Sequence, residues 1–162
     1  MEKNQSLNLI QQQLSIYCEQ VYNYRGTEFI GVKNPYSDNN MAFTFGEEEF
    51  CMEFTFQTAR FKYGCEKDCI IHAEKYLTDK LCAVEVFLND KPIFGGSRET
   101  FSGDFTSVEE FATYYAVGNK QIADNLLGFM KNGGVSVKIF SWSGKFDKSF
   151  KIVLEDELLK IV

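Results

Sequence analysis

The stretch Met41–Phe61, MAFTFGEEEFCMEFTFQTARF, places bulky apolar residues at every second position. Successive side chains of a strand point to opposite faces, so this spacing restricts the segment to a half-buried β-hairpin. Phe43 and Phe45 precede a Gly46–Glu48 turn. Phe50, Met52, Phe54 and Phe56 then share one face, and Glu49, Cys51, Glu53, Thr55 and Gln57 share the other. After Gln57 the phase slips and Ala59, Phe61 and Tyr63 become the apolar set, as an inserted residue in a bulge would produce. The segment reads as a core wall, not as a site of chemistry.

Helical periodicity frames this hairpin. Leu7, Ile10, Leu14, Tyr17 and Val21 recur at steps of three and four, which predicts a helix from about Ser6 to Tyr22, ended by Arg25–Gly26. Thr27–Lys33 reads as a short strand and Asn34–Asn40 as a loop of turn formers. Asp68 is placed to cap a second helix running to about Lys80, with Ile70, Ala73, Leu77 and Leu81 on its apolar side. Leu81–Leu88 alternates as a strand and Asn89–Asp90 turns it into Pro92–Gly96, where a proline without an N–H favours a sheet edge. Ser107-Val-Glu-Glu110 has the form of a capping box, so a helix should begin there. That helix breaks or bends at Gly118–Asn119, continues through Ile122, Leu126, Phe129 and Met130, and closes at Asn132-Gly-Gly134. Val135–Trp142 and Phe146–Leu154 form a hairpin around Ser143-Gly144-Lys145, and the apolar end Leu158–Val162 should be tied down. The expected architecture is a single α+β domain over residues 1–162, a mostly antiparallel sheet of six to seven strands with helices packed on one face.

The 162 residues suffice for a core without staples, and 16 Phe, 8 Tyr and 1 Trp make that core aromatic. No apolar run reaches the roughly 20 residues of a membrane helix, no secretory signal is evident, and five cysteines are an odd number for a disulfide framework. The expectation is a cytoplasmic protein with reduced thiols and no membrane contact. The net charge of −6 argues against nucleic acid, since Lys145, Lys148 and Lys151 are the only basic alignment. The acidic run Glu47, Glu48 and Glu49 is either a solvated face or a docking edge for a basic protein partner.

Nucleotide-loop, zinc-protease and hydrolase signatures are missing, and Gly95-Gly96-Ser97-Arg98 leads into no helix that could hold a phosphate. No catalytic residue and no cofactor is assigned. Cys65, Cys69 and His72, the last the only histidine, fall at i, i+4 and i+7 if the second helix starts a turn early, a spacing that would suit a soft metal ion. A fourth ligand is not evident, so the three residues read first as structural.

The order Phe43-x-Phe45, Glu49-Phe50, Phe54-x-Phe56 and Ala59-x-Phe61, then a helix and the strand Val84-Glu-Val-Phe87, resembles the hairpin, helix and strand pattern of small cytoplasmic immunity proteins that protect bacteria from polymorphic toxins. The resemblance spans residues 41–97 and lies in core positions, so it carries over no functional residue. It implies a small, acidic, non-enzymatic protein that acts by occluding a partner. On this reading Tyr22, Tyr24, Tyr36 and Trp142 supply aromatic anchors beside Glu47, Glu48 and Glu49. Two other readings stand beside it. One is a small-ligand or metal protein whose pocket between sheet and helices opens near Cys65, Cys69 and His72. The other is a subunit of an obligate oligomer, a homodimer in its simplest form.

Overall fold

The computed structural model describes residues 2–23, 29–99 and 107–162. Its contacts divide the chain into two compact units, Met1–Leu81 with Trp142–Gly144, and Cys82–Ser141 with Lys145–Val162. The chain is α+β, but its strands form two five-stranded antiparallel sheets where the sequence pattern suggested one of six to seven. Hydrophobic alternation marks strands well but carries no information on which strands share hydrogen bonds.

In the first unit α1 (Glu2–Leu14) leads into β1 (Val21–Asn23), β2 (Phe29–Val32), β3 (Met41–Phe45), β4 (Glu49–Phe54) and β5 (Gln57–Lys62), followed by α2 (Glu66–Leu77). The five strands form a meander in sequence order. Phe43, Phe50, Phe54, Ile30, Val32 and Met41 are fully buried, as are Ile10 and Leu14 of α1 and Cys69, Ala73 and Tyr76 of α2. Ring contacts fix α2 to the same face: Phe54 lies 4.9 Å from Tyr76 and Phe61 lies 6.2 Å from His72, centroid to centroid.

Three expectations are corrected here. The first helix stops at Leu14, because the Ser15 hydroxyl donates back to the Gln11 carbonyl and the Tyr17 and Cys18 amides both close on the Leu14 carbonyl. Val21 and Tyr22, good strand formers, pair instead with Val32 and Gly31. The phase slip read as a bulge after Gln57 is instead a turn at Thr55–Phe56: Phe54 pairs with Gln57, and Thr55 takes a positive φ of 56° at the first of two loop residues. Phe56 therefore sits at a hairpin tip, 63% exposed, while Phe61 and Ala59 pair with Phe50 and Met52 as the new phase requires. The second helix begins at Glu66 with Cys65 as its N-cap, so Asp68 lies inside the first turn, where its charge and that of Glu66 suit the helix dipole.

The second unit contains β6 (Leu81–Leu88), β7 (Lys91–Glu99), α3 (Val108–Thr113), a π-helical turn (Tyr114–Gly118), α4 (Lys120–Met130), β8 (Val135–Phe140), β9 (Lys148–Glu155) and β10 (Leu158–Ile161), with β6 beginning at the boundary residue Leu81. The strand order is β10-β9-β8-β6-β7, which puts Pro92 on an edge strand as read. The Gly95–Arg98 segment is strand, and so offers no phosphate loop. Ser107 caps α3 by accepting from the Glu110 amide at 3.1 Å, and Asn119 caps α4 after the expected break. At the far end of α4, Gly133 adopts φ 151°, and a Cβ there would lie 2.3 Å from the Asn89 side chain. Asn89 in turn accepts from the Gly134 amide and begins a turn in which Asn89 and Asp90 both have positive φ.

One face of this sheet buries Cys82, Val84, Val86, Val137, Ile139, Phe150 and Ile152 against Phe111, Tyr115 and Leu126 of the helices. Ala83, Glu85 and Phe87 on the other face of β6 are buried as well. Glu85 is cross-strand from Lys138, whose ammonium lies 4.4 Å from the Phe87 ring centroid. The final hairpin also differs from its reading. Asp147 accepts from both the amide and the hydroxyl of Ser141, which ends β8 at Phe140 and leaves Trp142 in a loop. Leu158–Ile161 is a strand of its own after a turn at Asp156–Glu157, and Val162 and Lys151 exchange both backbone hydrogen bonds at 2.9 Å. The apolar end is tied down.

Candidate functional site

Residues of the first unit enclose a cavity of about 400 Å³. The turn between α1 and β1 contributes Tyr17, Cys18, Glu19 and Gln20. The β2–β3 loop contributes Lys33, Pro35 and Tyr36, α2 contributes Leu77, and the last wall is Trp142.

Asn34 builds one side. Its buried side-chain amide donates to the Asn39 carbonyl at 3.0 Å and to the Trp142 carbonyl at 2.8 Å, while its side-chain oxygen accepts from the Tyr36 amide at 2.9 Å. The Asn34 backbone amide donates to the Asn40 side chain at 2.8 Å. The loop that holds Pro35 and Tyr36 is thus wound around one asparagine, which satisfies its own buried polar atoms in doing so. Asp79, in a positive-φ conformation just past α2, accepts from the amide of Ser143 at 3.0 Å and from its hydroxyl. Trp142 is held between these two anchors with its ring 5.9 Å from Phe54.

Trp142 is only 3% exposed and forms the floor, whereas Tyr36 is 66% and Tyr17 47% exposed and stand at the mouth. The Glu74 carboxylate, hydrogen-bonded to the Tyr17 hydroxyl, raises that phenol above its ordinary value. Burial raises the Cys18 thiol, so it is a poor nucleophile at neutral pH. Tyr22 does not line the cavity: its ring covers Gly31, where a Cβ would come within 2.4 Å of it, and it is 36% exposed.

The register of sheet 1 places further aromatic surface here. Met41, which follows the β2–β3 loop, pairs with Phe54, and the next turn carries Phe56. Tyr36 and Phe56 therefore belong to the same end of the sheet. The Gly46–Glu48 turn is at the opposite end of β3. There the Gly46 amide donates to the Glu49 carbonyl and the Tyr63 hydroxyl donates to the Gly46 carbonyl at 2.6 Å. Glu49 pairs with Arg60 at 2.9 Å and faces Lys62 across the strands, which leaves Glu47 and Glu48 as the exposed carboxylates of the run. Glu47 neighbours Glu2, Lys3 and Tyr63 in a shallow groove.

The structure thus brings Tyr36 and Trp142 together and separates them from Glu47, Glu48 and Glu49; Tyr24 lies outside the described residues. Sequence reading passed over Tyr17, Lys33, Pro35 and Leu77 as site residues. Asn34–Pro35 inside a run of turn formers was the one available sign.

The Cys65, Cys69 and His72 group does not assemble. Among the described residues no three His, Cys, Asp or Glu side chains come together as metal ligands would. Cys69 is fully buried and burial pushes its thiol up to about 12, while His72, half-buried against Phe61 and edge-on to Tyr76 at 5.3 Å, is held below its ordinary value by burial and by Lys75. These are packing residues of α2, and the cavity opens elsewhere. All five cysteines are free, and among the described residues no helix is long and apolar enough to cross a membrane.

Comparison with known proteins finds no matching family model, no matching curated protein and no matching solved structure.

Proposed function

We propose that this chain is a non-enzymatic cytoplasmic binding protein that occludes a protein partner, as the immunity proteins it resembles do, and that it engages the partner through the aromatic end of sheet 1. The supporting observation is the concentration of exposed apolar surface there: Ile16 at 72%, Tyr36 at 66%, Phe56 at 63% and Tyr17 at 47% exposure, beside a cavity floored by Trp142. Bulky apolar groups gathered at one end of a fold form the kind of patch that is covered on association, with a desolvated aromatic centre supplying most of the binding energy. The net charge of −6, with Glu47 and Glu48 exposed at the far end, speeds encounter with a basic partner without touching the anchor surface.

The test is capture from the source cytosol with four versions of the protein: wild type, Tyr36→Ala, Phe56→Ala, and Glu47→Lys with Glu48→Lys. A partner retained by wild type and by the charge-reversed protein, but lost from both aromatic variants, is the expected result. Retention by both aromatic variants together with loss on charge reversal moves the contact to the acidic turn. If the bait's only partner is a second copy, light scattering at micromolar concentration shows it directly.

A further inference from the structure

We infer that the cavity is a small-molecule site whose ligand is a flat, uncharged aromatic ring carrying a hydrogen-bond acceptor, a carbonyl or a ring nitrogen, for the indole N–H of Trp142. The volume of about 400 Å³ falls within the roughly 300–1,000 Å³ of small-ligand sites. The acceptor follows from Trp142. Its carbonyl accepts from Asn34 and its ring packs on Phe54, but its indole N–H, the side chain's one polar group, donates to none of the described residues. A donor left unpaired on a side chain only 3% exposed is costly unless whatever fills the adjoining space accepts from it. That N–H is not sealed into the core, and the space that Trp142 adjoins is the cavity it floors.

The walls set the remaining chemistry. Leu77, Pro35 and the rings of Tyr17 and Tyr36 present apolar and aromatic surface, against which a flat ring buries most area. The Tyr17 hydroxyl is committed to Glu74 and does not compete for the acceptor. Glu19 and Lys33 at the edge carry opposite charges and favour neither sign, so desolvation decides: a charged ligand would give up its hydration for a single N–H. One placed polar group among apolar walls is the usual composition of a small-ligand site. The inference goes beyond the partner-binding function and does not rest on it.

The probes are indole and 7-azaindole, two uncharged bicycles of the same shape, of which only the second has a ring nitrogen that accepts a hydrogen bond. The chain contains a single tryptophan, so nitrogen-15-labelled protein shows one indole N–H resonance, that of Trp142. Both probes should shift it saturably. The azaindole should bind at least about fivefold more tightly and carry the proton further downfield, because the two ring currents are nearly equal and one hydrogen bond differs. Trp142→Phe keeps an aromatic floor and removes the donor, so the two probes should then bind equally. Slowed alkylation of Cys18, a free thiol that lines the cavity, reads binding in that variant.

Equal affinities of the two probes for wild type overturn the inference, as does the absence of a saturable shift with either. A preference for the azaindole that survives Trp142→Phe overturns it too, since another group would then be meeting the acceptor. If Trp142→Phe does not fold, the wild-type titration decides alone: the extra downfield displacement by the azaindole supports the inference and its absence refutes it. None of these outcomes bears on partner capture, so the proposed function keeps its own test.

Discussion

Phe54→Ala should destabilise the first unit by about 3–5 kcal/mol. Phe54 is fully buried, pairs with Met41 and Gln57 across the strands, and sits between the rings of Tyr76 at 4.9 Å and Trp142 at 5.9 Å. A buried aromatic side chain removes on the order of 150–200 Å² from water, which at about 25 cal/mol per Å² is about 4–5 kcal/mol before allowing for the Cβ that alanine keeps. Loss of two ring contacts and the cavity left behind act in the same direction. Two neighbours serve as controls: Glu53→Ala, on the exposed face, and Phe56→Ala, at the hairpin tip, should each change stability by no more than about 0.5–1 kcal/mol. Urea titration followed by Trp142 emission measures all three, since Trp142 belongs to the same unit. The alanine at 54 should also shift that emission in the folded state to longer wavelength, because the ring beside it is gone. Equal losses at 54 and 56 would show that both phenylalanines line the core and that the Thr55–Phe56 turn is wrongly placed.

Ser107→Ala should cost about 1 kcal/mol by removing the acceptor for the Glu110 amide, and Ser107→Asp should restore most of it; thermal unfolding followed by circular dichroism checks both. His72 titrates below its ordinary value of about 6.5 in the folded protein, so the unfolded chain takes up the proton first. Stability is therefore complete above about pH 6.5 and falls as the pH drops through that value, until the folded ring titrates too; the urea midpoint should be lower at pH 5.5 than at pH 7.5, and His72→Gln should narrow the gap. Native alkylation read by mass spectrometry should label Cys69 and Cys82, both fully buried, only after unfolding. Rapid labelling of Cys69 would contradict both its burial and its raised pKa.

Local chemistry was legible wherever one segment decided its own structure. Phe43, Phe50 and Phe54 declared the buried face by alternation, Ser107 declared a helix start, and Asn89–Asp90 declared a turn. The failures lie where distant residues decide or where a turn carries no marker residue. Tyr17 and Val21 continue a helical spacing, but a hydrogen-bonded turn at Leu14 and a partner strand at Ile30–Val32 override it. Phe56 continues a strand spacing, but two residues suffice to reverse the chain, and no glycine marked the place. Alternation along Leu81–Leu88 marks the strand but does not show that Glu85, on the face opposite Val84 and Val86, is buried as well. The cavity was less legible still. Its lining comes from four separated stretches, and the residue that organises the loop, Asn34, looks in the sequence like any other turn former.

Trp142, Ser143 and Gly144 complete the first unit although β6, β7, α3, α4 and β8 are all made between Leu81 and them. On the ribosome this order has a cost. While the intervening residues emerge, Asn34 has no Trp142 carbonyl to donate to, Asp79 has no Ser143 to accept from, and one flank of Phe54 stays open. A nascent chain paused in that interval exposes an aromatic core wall to water and to chaperones, whose engagement should end only when Gly144 clears the exit tunnel. Residues 1–81 expressed alone would be held at that vulnerable stage, so isolating the first unit requires the 142–144 segment to be supplied on the same chain.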